Sequence, residues 1–360
     1  MTMIASSIIR KNHAIMMLIV SLSYWFVIKQ EVKMPLSKEL KKEMFWIMLL
    51  SRRLDERAWV LHRQGKIAFH ISGIGQEAAQ VGAVYALKKG KDWLVPYYRD
   101  LAMVIAMGMS PAEFMRSLMG KIEEPTSGAR QMPSHFSLRQ ANVLSHSAPV
   151  ATQSPHASGI GLGIKMDGGD EVVLTTIGEG STSQGEWYEA VNFAAIHRLP
   201  VVFLVENNAY AISVPQEKQM AVSSAAEKAC GLGLPGIEVD GTQLLEVYEA
   251  VSEAVENARQ GQGPAVIEAK MYRLTPHSSD DDDRSYRTRE EVEEHKKQDP
   301  LIVMKDHFIA EGLMTEEEYK QLEEKAKQMV DEAVSEATKA PYPDGKEAAT
   351  PVYAEEVNND

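Results

Sequence analysis

One cysteine, Cys230, is all the thiol chemistry that 360 residues carry. That excludes an internal disulfide and suits a reducing, cytoplasmic compartment, with a buried structural thiol as the expected role. Positive charge is also scarce, since 38 Lys and Arg against 51 Asp and Glu leave a formal net charge of -13. A phosphate-backbone binder needs a basic footprint, so nucleic acid is excluded as a partner. A membrane span is missing too. The apolar run AIMMLIVSLSYWFVI, residues 14 to 28, falls short of the roughly 20 residues that a spanning helix requires. The charged KQEVKMPLSKEL that follows offers no small-residue cleavage site. Residues 1–33 therefore read as a leader, overcalled ahead of Met34 or disordered, with a membrane-associated or targeting segment and a docked helix as the other readings; no membrane partner is expected. No solenoid-type repeat is present.

What is present is an ordinary globular composition, 44% hydrophobic and 25% charged, with ample chain for a large core. Helical spacing predicts helices over 36–64, 75–87, 101–108 and 111–120, after a short strand in 92–100. Residues 121–150 have no sustained period. So long an irregular segment inside a compact domain points to function, and it contains Arg130, His135 and His146. The β-branched run EVVLTTI (171–177) and VVFLVE (201–206) read as buried strands around a helix at 185–199. GIEVDG (236–241), a helix over 242–260 and PAVIEAKMY (264–272) repeat that pattern. The fold class is α/β, a mostly parallel sheet covered by helices on both faces. Added helices lie at the N-terminal end and over 300–312 and 315–338. One domain is expected over 34–340, with a mobile acidic tail over 341–360.

Gly178-Glu179-Gly180 closes the first buried strand, and Asn207-Asn208 closes the second. In open parallel sheets ligands bind outside the strands' carboxyl ends. A carboxylate and an amide oxygen meeting there are hard donors suited to Mg²⁺. The glycines admit backbone close to a phosphate, and the helix starting near Gln184 points its positive end at the same place. A magnesium-bridged diphosphate fits these features, and so does a free-standing Mg²⁺-dependent phosphohydrolase. GIGLGI (159–164) lacks a preceding strand and reads as helix packing. The run Asp280 to Asp283 reads as a solvated loop.

The Gly-Glu-Gly and Asn-Asn pair resembles the thiamine diphosphate signature, with Glu where Asp is usual. GQEAAQVGAVYAL, PYYRDLAMVIAMGM, GARQMPSHF, ATQSPHASGIGLG, NNAYAISVP and YRLTPHSSDDDDRSYR extend the likeness over residues 36–340. Together they resemble the α subunit of the E1 component of 2-oxo acid dehydrogenase complexes. The HSSDDDDRSYR loop leans towards the branched-chain (2-oxoisovalerate) group, with pyruvate and acetoin enzymes as alternatives. The resemblance implies that Glu179, Asn208 and the carbonyl of Tyr210 hold Mg²⁺. It implies that Tyr98, Arg99, Gly178, Gly180, Ser181, Asn208 and His277 bind the diphosphate side of the cofactor, with His277 also at the catalytic mouth. Ala148 and Val150 would pack under the aminopyrimidine. Ser147, Pro149, Thr152 and Gln153 match a potassium site of some relatives, and Ser278 matches a phosphoserine of eukaryotic ones.

The sequence holds no second strand series. Thiamine catalysis needs a carboxylate against the aminopyrimidine, so a separate E1 β subunit is expected, in an α2β2 heterotetramer. The small-residue faces Ala78, Ala79, Gly82, Ala83 and Gly159, Gly161, Gly163 read either as that interface or as internal packing. The implied reaction is decarboxylation of a branched-chain 2-oxo acid such as 3-methyl-2-oxobutanoate. The acyl group would pass to the lipoyl group of an E2 acyltransferase.

Overall fold

The computed structural model describes residues 36–349. Of these, residues 36–41 belong to a short N-terminal unit and residues 42–349 to the main unit. The leader boundary at Met34, the apolar run at 14–28 and the last residues of the tail lie outside the described residues. Among the described residues no helix is long and apolar enough to cross a membrane.

The first elements are α1 (Lys38–Arg63), α2 (Glu77–Val84), β1 (Trp93–Val95), α3 (Leu101–Met107) and α4 (Pro111–Leu118). Then come α5 (Gln153–Asp167), β2 (Val173–Gly178), α6 (Gly185–Ile196) and β3 (Val201–Asn207). A hairpin of β4 (Tyr210–Ala211) and β5 (Val214–Pro215) leads to α7 (Ala225–Cys230). The sheet is completed by β6 (Gly236–Asp240) and β7 (Ala265–Lys270) around α8 (Leu244–Arg259). Helices α9 (Arg289–Lys296), α10 (Pro300–Ala310) and α11 (Glu316–Lys339) follow.

Five strands form one parallel sheet in the order β1-β2-β3-β7-β6. Every residue of β3 is buried, as expected of a central strand covered on both faces. On one face Val173, Ile177, Val201, Phe203 and Val205 pack against Trp187, Val191 and Ala194 of α6, Ala157 of α5 and Ala225 and Ala229 of α7. Helix α8 lies against β3, β6 and β7 on the other face, and α2 packs on α8. A Cβ at Gly82 would stand 2.7 Å from the Leu244 carbonyl, and one at Gly161 2.7 Å from the Val201 side chain. Those two glycines therefore serve internal packing, whereas Gly159 and Gly163 face open space.

The expected elements form, most of them trimmed by one to three residues. The sequence did not reveal the β4–β5 hairpin or α7, whose strands and helix are too short to show a period. Cys230 is exposed, not buried: α7 turns Ala225, Ala226 and Ala229 inward, and the next residue falls on the opposite side. The described part of the tail is tethered, with Pro341 accepting from the Ile122 amide at 3.2 Å and Tyr342 lying under the Lys121 ammonium.

Away from the strand ends one cluster of buried charge is closed on itself. Arg52 of α1 forms two bonds to Glu77 of α2 (2.6 and 3.1 Å) and two to Asp299 (2.7 and 2.8 Å). Asp299 in turn caps α10 through the Leu301 amide. Burial lowers the arginine's proton affinity, but its two carboxylates outweigh that and raise it well above normal.

Candidate active site

All five strands point the same way, so their carboxyl ends share one edge. Glu179 follows β2 in a 3-10 turn, Glu179–Ser183, that is closed by Thr182 Oγ1 donating to the Glu179 carbonyl at 2.6 Å. Gly180 and Ser181 therefore belong to this turn, and α6 begins only at Gly185. Gly178 has free space around its Cα, but a Cβ at Gly180 would stand 2.5 Å from that of Ala211 in β4. Gly180 is thus held against the hairpin, and Gly178 faces the open side.

The Glu179 carboxylate is 1% exposed. It accepts from the Asn208 amide at 3.3 Å and from Gln219 Nε2 at 3.2 Å. Burial pushes its carboxyl upward, opposed by those bonds and more weakly by Arg273. Asn207 and Asn208 split their tasks. Asn207 Nδ2 donates to Glu268 of β7 at 2.6 Å, and its Oδ1 accepts from Ala209, whose φ of 72° turns the chain. Asn208 is buried and its Oδ1 has no partner. A buried carboxylate beside an orphaned amide oxygen is a donor set that fits a hard cation. The third expected donor, the Tyr210 carbonyl, accepts from Arg273 at 3.2 Å and keeps its second lone pair.

Arg99 is 2% exposed and Arg273 fully buried. Arg99 donates to the carbonyl of Ser72 (2.6 Å) and, at 3.3–3.4 Å, meets the carbonyl and Nδ1 of His277. Its Nε is buried without a partner. Arg273 donates to the carbonyls of Tyr210, Ile212 and Thr275 and to the Tyr286 hydroxyl. Burial, then the nearby Arg99 and Arg287, lowers its proton affinity. Neither guanidinium meets a carboxylate among the described residues. Two buried guanidinium groups with no direct ion pair are an arrangement that suits an anion. His277 is held by its amide bond to Asp281 (2.8 Å) and pushed down to about 4 by burial and then Arg99 and Arg273.

Tyr98 stands between His277 and His146, its ring 6.3 Å from the first and 6.1 Å from the second. His135 stacks on His146 at 4.6 Å, and burial, with His135 second, holds His146 down to about 3. Ala148 and Pro149 are exposed and Val150 half-buried. Ser147 Oγ and Thr152 Oγ1 each donate to the Pro149 carbonyl (3.2 and 3.1 Å) and touch one another. Gln153 instead donates to the Thr176 carbonyl at 2.8 Å, and its buried Oε1 is unpartnered.

Four aspartates, 280 to 283, do not converge. Asp281 holds the His277 amide and Tyr286, Asp282 pairs with Arg284, Asp283 pairs with Arg287, and Asp280 lies 3.5 Å from His62. Ser278 is buried among them. Beneath the Tyr98-Arg99 turn lies a carboxyl pair that sequence reasoning missed, Asp100 and Glu206. Both are fully buried, bonded to each other and pushed upward by burial. Gln80 donates to Glu206 at 3.1 Å and to the Arg99 carbonyl at 3.0 Å. Arg273 and Gln219 were missed as well; only the place of Arg273 in the YRLTPH stretch gave a signal.

Fold and side-chain arrangement define a parallel α/β protein that gathers a buried carboxylate, an orphaned amide oxygen and two buried guanidinium groups at the strands' carboxyl edge. The family model described as dehydrogenase E1 component matches residues 46–346. The chain is 50% identical over 312 residues to the 2-oxoisovalerate dehydrogenase subunit alpha of Bacillus subtilis, covering 87% of this chain and 94% of that one. It is 36% identical over 312 residues to the pyruvate dehydrogenase E1 component subunit alpha of Staphylococcus epidermidis and to that of Staphylococcus aureus, covering 86% of this chain and 81% of each. The chain belongs to the dehydrogenase E1 component family and is an E1 α-type enzyme subunit.

Proposed function

We propose that this chain is the α subunit of a branched-chain 2-oxo acid dehydrogenase E1. It would bind thiamine diphosphate with Mg²⁺ and pair with an E1 β subunit as α2β2. The reaction would decarboxylate 3-methyl-2-oxobutanoate and its analogues and pass the acyl group to a lipoylated E2. The observation that carries the cofactor reading is the charge imbalance of the site. Buried Arg99 and Arg273 touch no carboxylate, and the buried Asn208 Oδ1 beside Glu179 has no partner, so a metal–diphosphate would satisfy both at once. The 50% identity to a 2-oxoisovalerate subunit against 36% to pyruvate subunits supports the branched-chain substrate.

Glu179, Asn208 Oδ1 and the Tyr210 carbonyl would hold Mg²⁺. Arg99, Arg273, Tyr98, His277 and the turn at Gly178–Ser181 would hold the diphosphate. Ser147, Thr152, the Pro149 carbonyl and Gln153 Oε1 would supply oxygen ligands of the kind K⁺ takes, and the ion would steady the segment that presents Ala148 and Val150 to the aminopyrimidine. When bound, the thiazolium ring supplies the electron sink for loss of carbon dioxide. This chain's own part is to neutralise, orient and exclude water. Gly159, Gly163, Met166, Phe193 and Ile196 on α5 and α6 form an open, partly apolar face, which supports a subunit contact there.

Calorimetric titration of thiamine diphosphate with Mg²⁺ into the chain co-expressed with its β partner tests the reading. Binding lost in Glu179→Ala, weaker in Na⁺ than in K⁺ buffer, and turnover of 3-methyl-2-oxobutanoate above pyruvate are expected. A folded pair that binds no thiamine diphosphate overturns it.

A further inference from the structure

His146 has two buried ring nitrogens and no hydrogen-bond partner for either. Buried polar groups almost always have partners, and an orphan marks a group whose partner arrives later. Its position makes the omission specific. Residues 142–144 run beside β1, with Leu94 donating to the Asn142 carbonyl and Leu144 to the Leu94 carbonyl, both at 3.0 Å. The chain thus delivers His146 to the carboxyl edge of the sheet, where its ring meets Tyr98, the neighbour of Arg99 and ring contact of His277. Its other face is covered by His135, whose own hydrogen bonds go only to the carbonyls of Met132 and Pro133 on its loop. That loop bends through left-handed φ values at Ala129 (63°) and Ser134 (68°), a strained backbone for residues with a Cβ.

We propose that His146 is a ligand-binding residue of this site: its ring N–H donates to an anionic oxygen of the bound molecules. The inference rests on the thiamine reading. A neutral imidazole offers one donor and one acceptor, and the anionic oxygens expected within this pocket are two. One is the cofactor's terminal phosphate; the other is the carboxylate of the 2-oxo acid. Stacking on His135 keeps the ring in place without using either nitrogen, which leaves the donor uncommitted.

His146→Phe keeps the ring and removes both orphaned nitrogens. In the α–β complex the variant's unliganded melting temperature should equal or exceed that of the wild type, since no bond is lost there. Its affinity for thiamine diphosphate, measured with Mg²⁺ by calorimetry, falls about 10- to 100-fold if the phosphate is the acceptor. The KM for 3-methyl-2-oxobutanoate rises by a similar factor, with cofactor affinity unchanged, if the carboxylate is. Either matches the loss of one hydrogen bond to a charged group. His146→Gln retains an N–H and should recover most of the loss. Wild-type binding with unchanged values in His146→Phe overturns the inference alone, as does a loss of binding in both variants that tracks a loss of thermal stability. No binding of thiamine diphosphate by the wild-type complex overturns this inference together with the thiamine reading.

Discussion

Arg52 and Arg99 are both buried guanidinium groups, and they keep opposite company. Arg52 sits between two carboxylates that accept four bonds from it, and those bonds join α1, α2 and the start of α10. Arg99 has carbonyls, an imidazole and an unpartnered Nε. Removing one member of a closed buried cluster strands the remaining charges. An open cluster already holds uncompensated charge and lowers its free energy only when an anion arrives. Closed clusters therefore hold this fold together, and the open one is the part kept for binding.

Breaking the closed cluster should cost most. Arg52→Ala leaves Glu77 and Asp299 buried and unpaired, and should destabilise the chain by about 3–5 kcal/mol. Its chemical denaturation midpoint falls while the cofactor affinity of the surviving folded fraction stays close to wild type. A fall in affinity without a fall in stability would merge the two classes of arginine.

Arg99→Met is the converse test. Unliganded stability should change by less than about 1 kcal/mol, because the bonds lost to Ser72 and His277 are offset by removal of a buried charge that has no ion pair. Diphosphate affinity should weaken by about 1.5–3 kcal/mol, the worth of a charge-assisted bond, read by titration in the α–β complex. A variant that unfolds while binding normally would place Arg99 beside Arg52.

The last effect is on pH. His277 titrates near 6.5 when unfolded and near 4 in the fold, held down by burial and then by Arg99 and Arg273. The unfolded chain thus binds the extra proton first, so His277 contributes stability above about pH 6.5 that is lost as pH falls towards 4. His277→Asn should flatten this part of the melting-temperature profile between pH 7 and pH 4. An unaltered slope would mean that His277 is not screened from protons by the open cluster.

The legibility of the sequence follows the same division. Strands β2 and β3 are continuous apolar runs, so their carboxyl ends, and with them Glu179 and Asn208, could be located from local pattern alone. Tyr98, Arg99 and His277 were reached through family resemblance, since a lone histidine in a polar loop carries no pattern of its own. Arg273, Gln219 and the Asp100–Glu206 pair were invisible because each is a single residue whose meaning comes from strands far apart in the chain. Arg52 was hidden for the same reason: its partners lie at 77 and 299. Cys230 went wrong because a six-residue helix is too short to reveal which side faces inward.

The strand order carries a consequence for biosynthesis. Glu179 and Asn208 come from neighbours in sequence as well as in the sheet, whereas Arg273 follows β7, which must insert between β3 and β6. A chain made from its N-terminus therefore exposes the cation half of the site before the arginine that completes the anion half has left the ribosome. Until β7 takes its place, one side of β3 and its row of backbone donors and acceptors stands open, and a nascent chain stalled there presents an unprotected edge for misassembly.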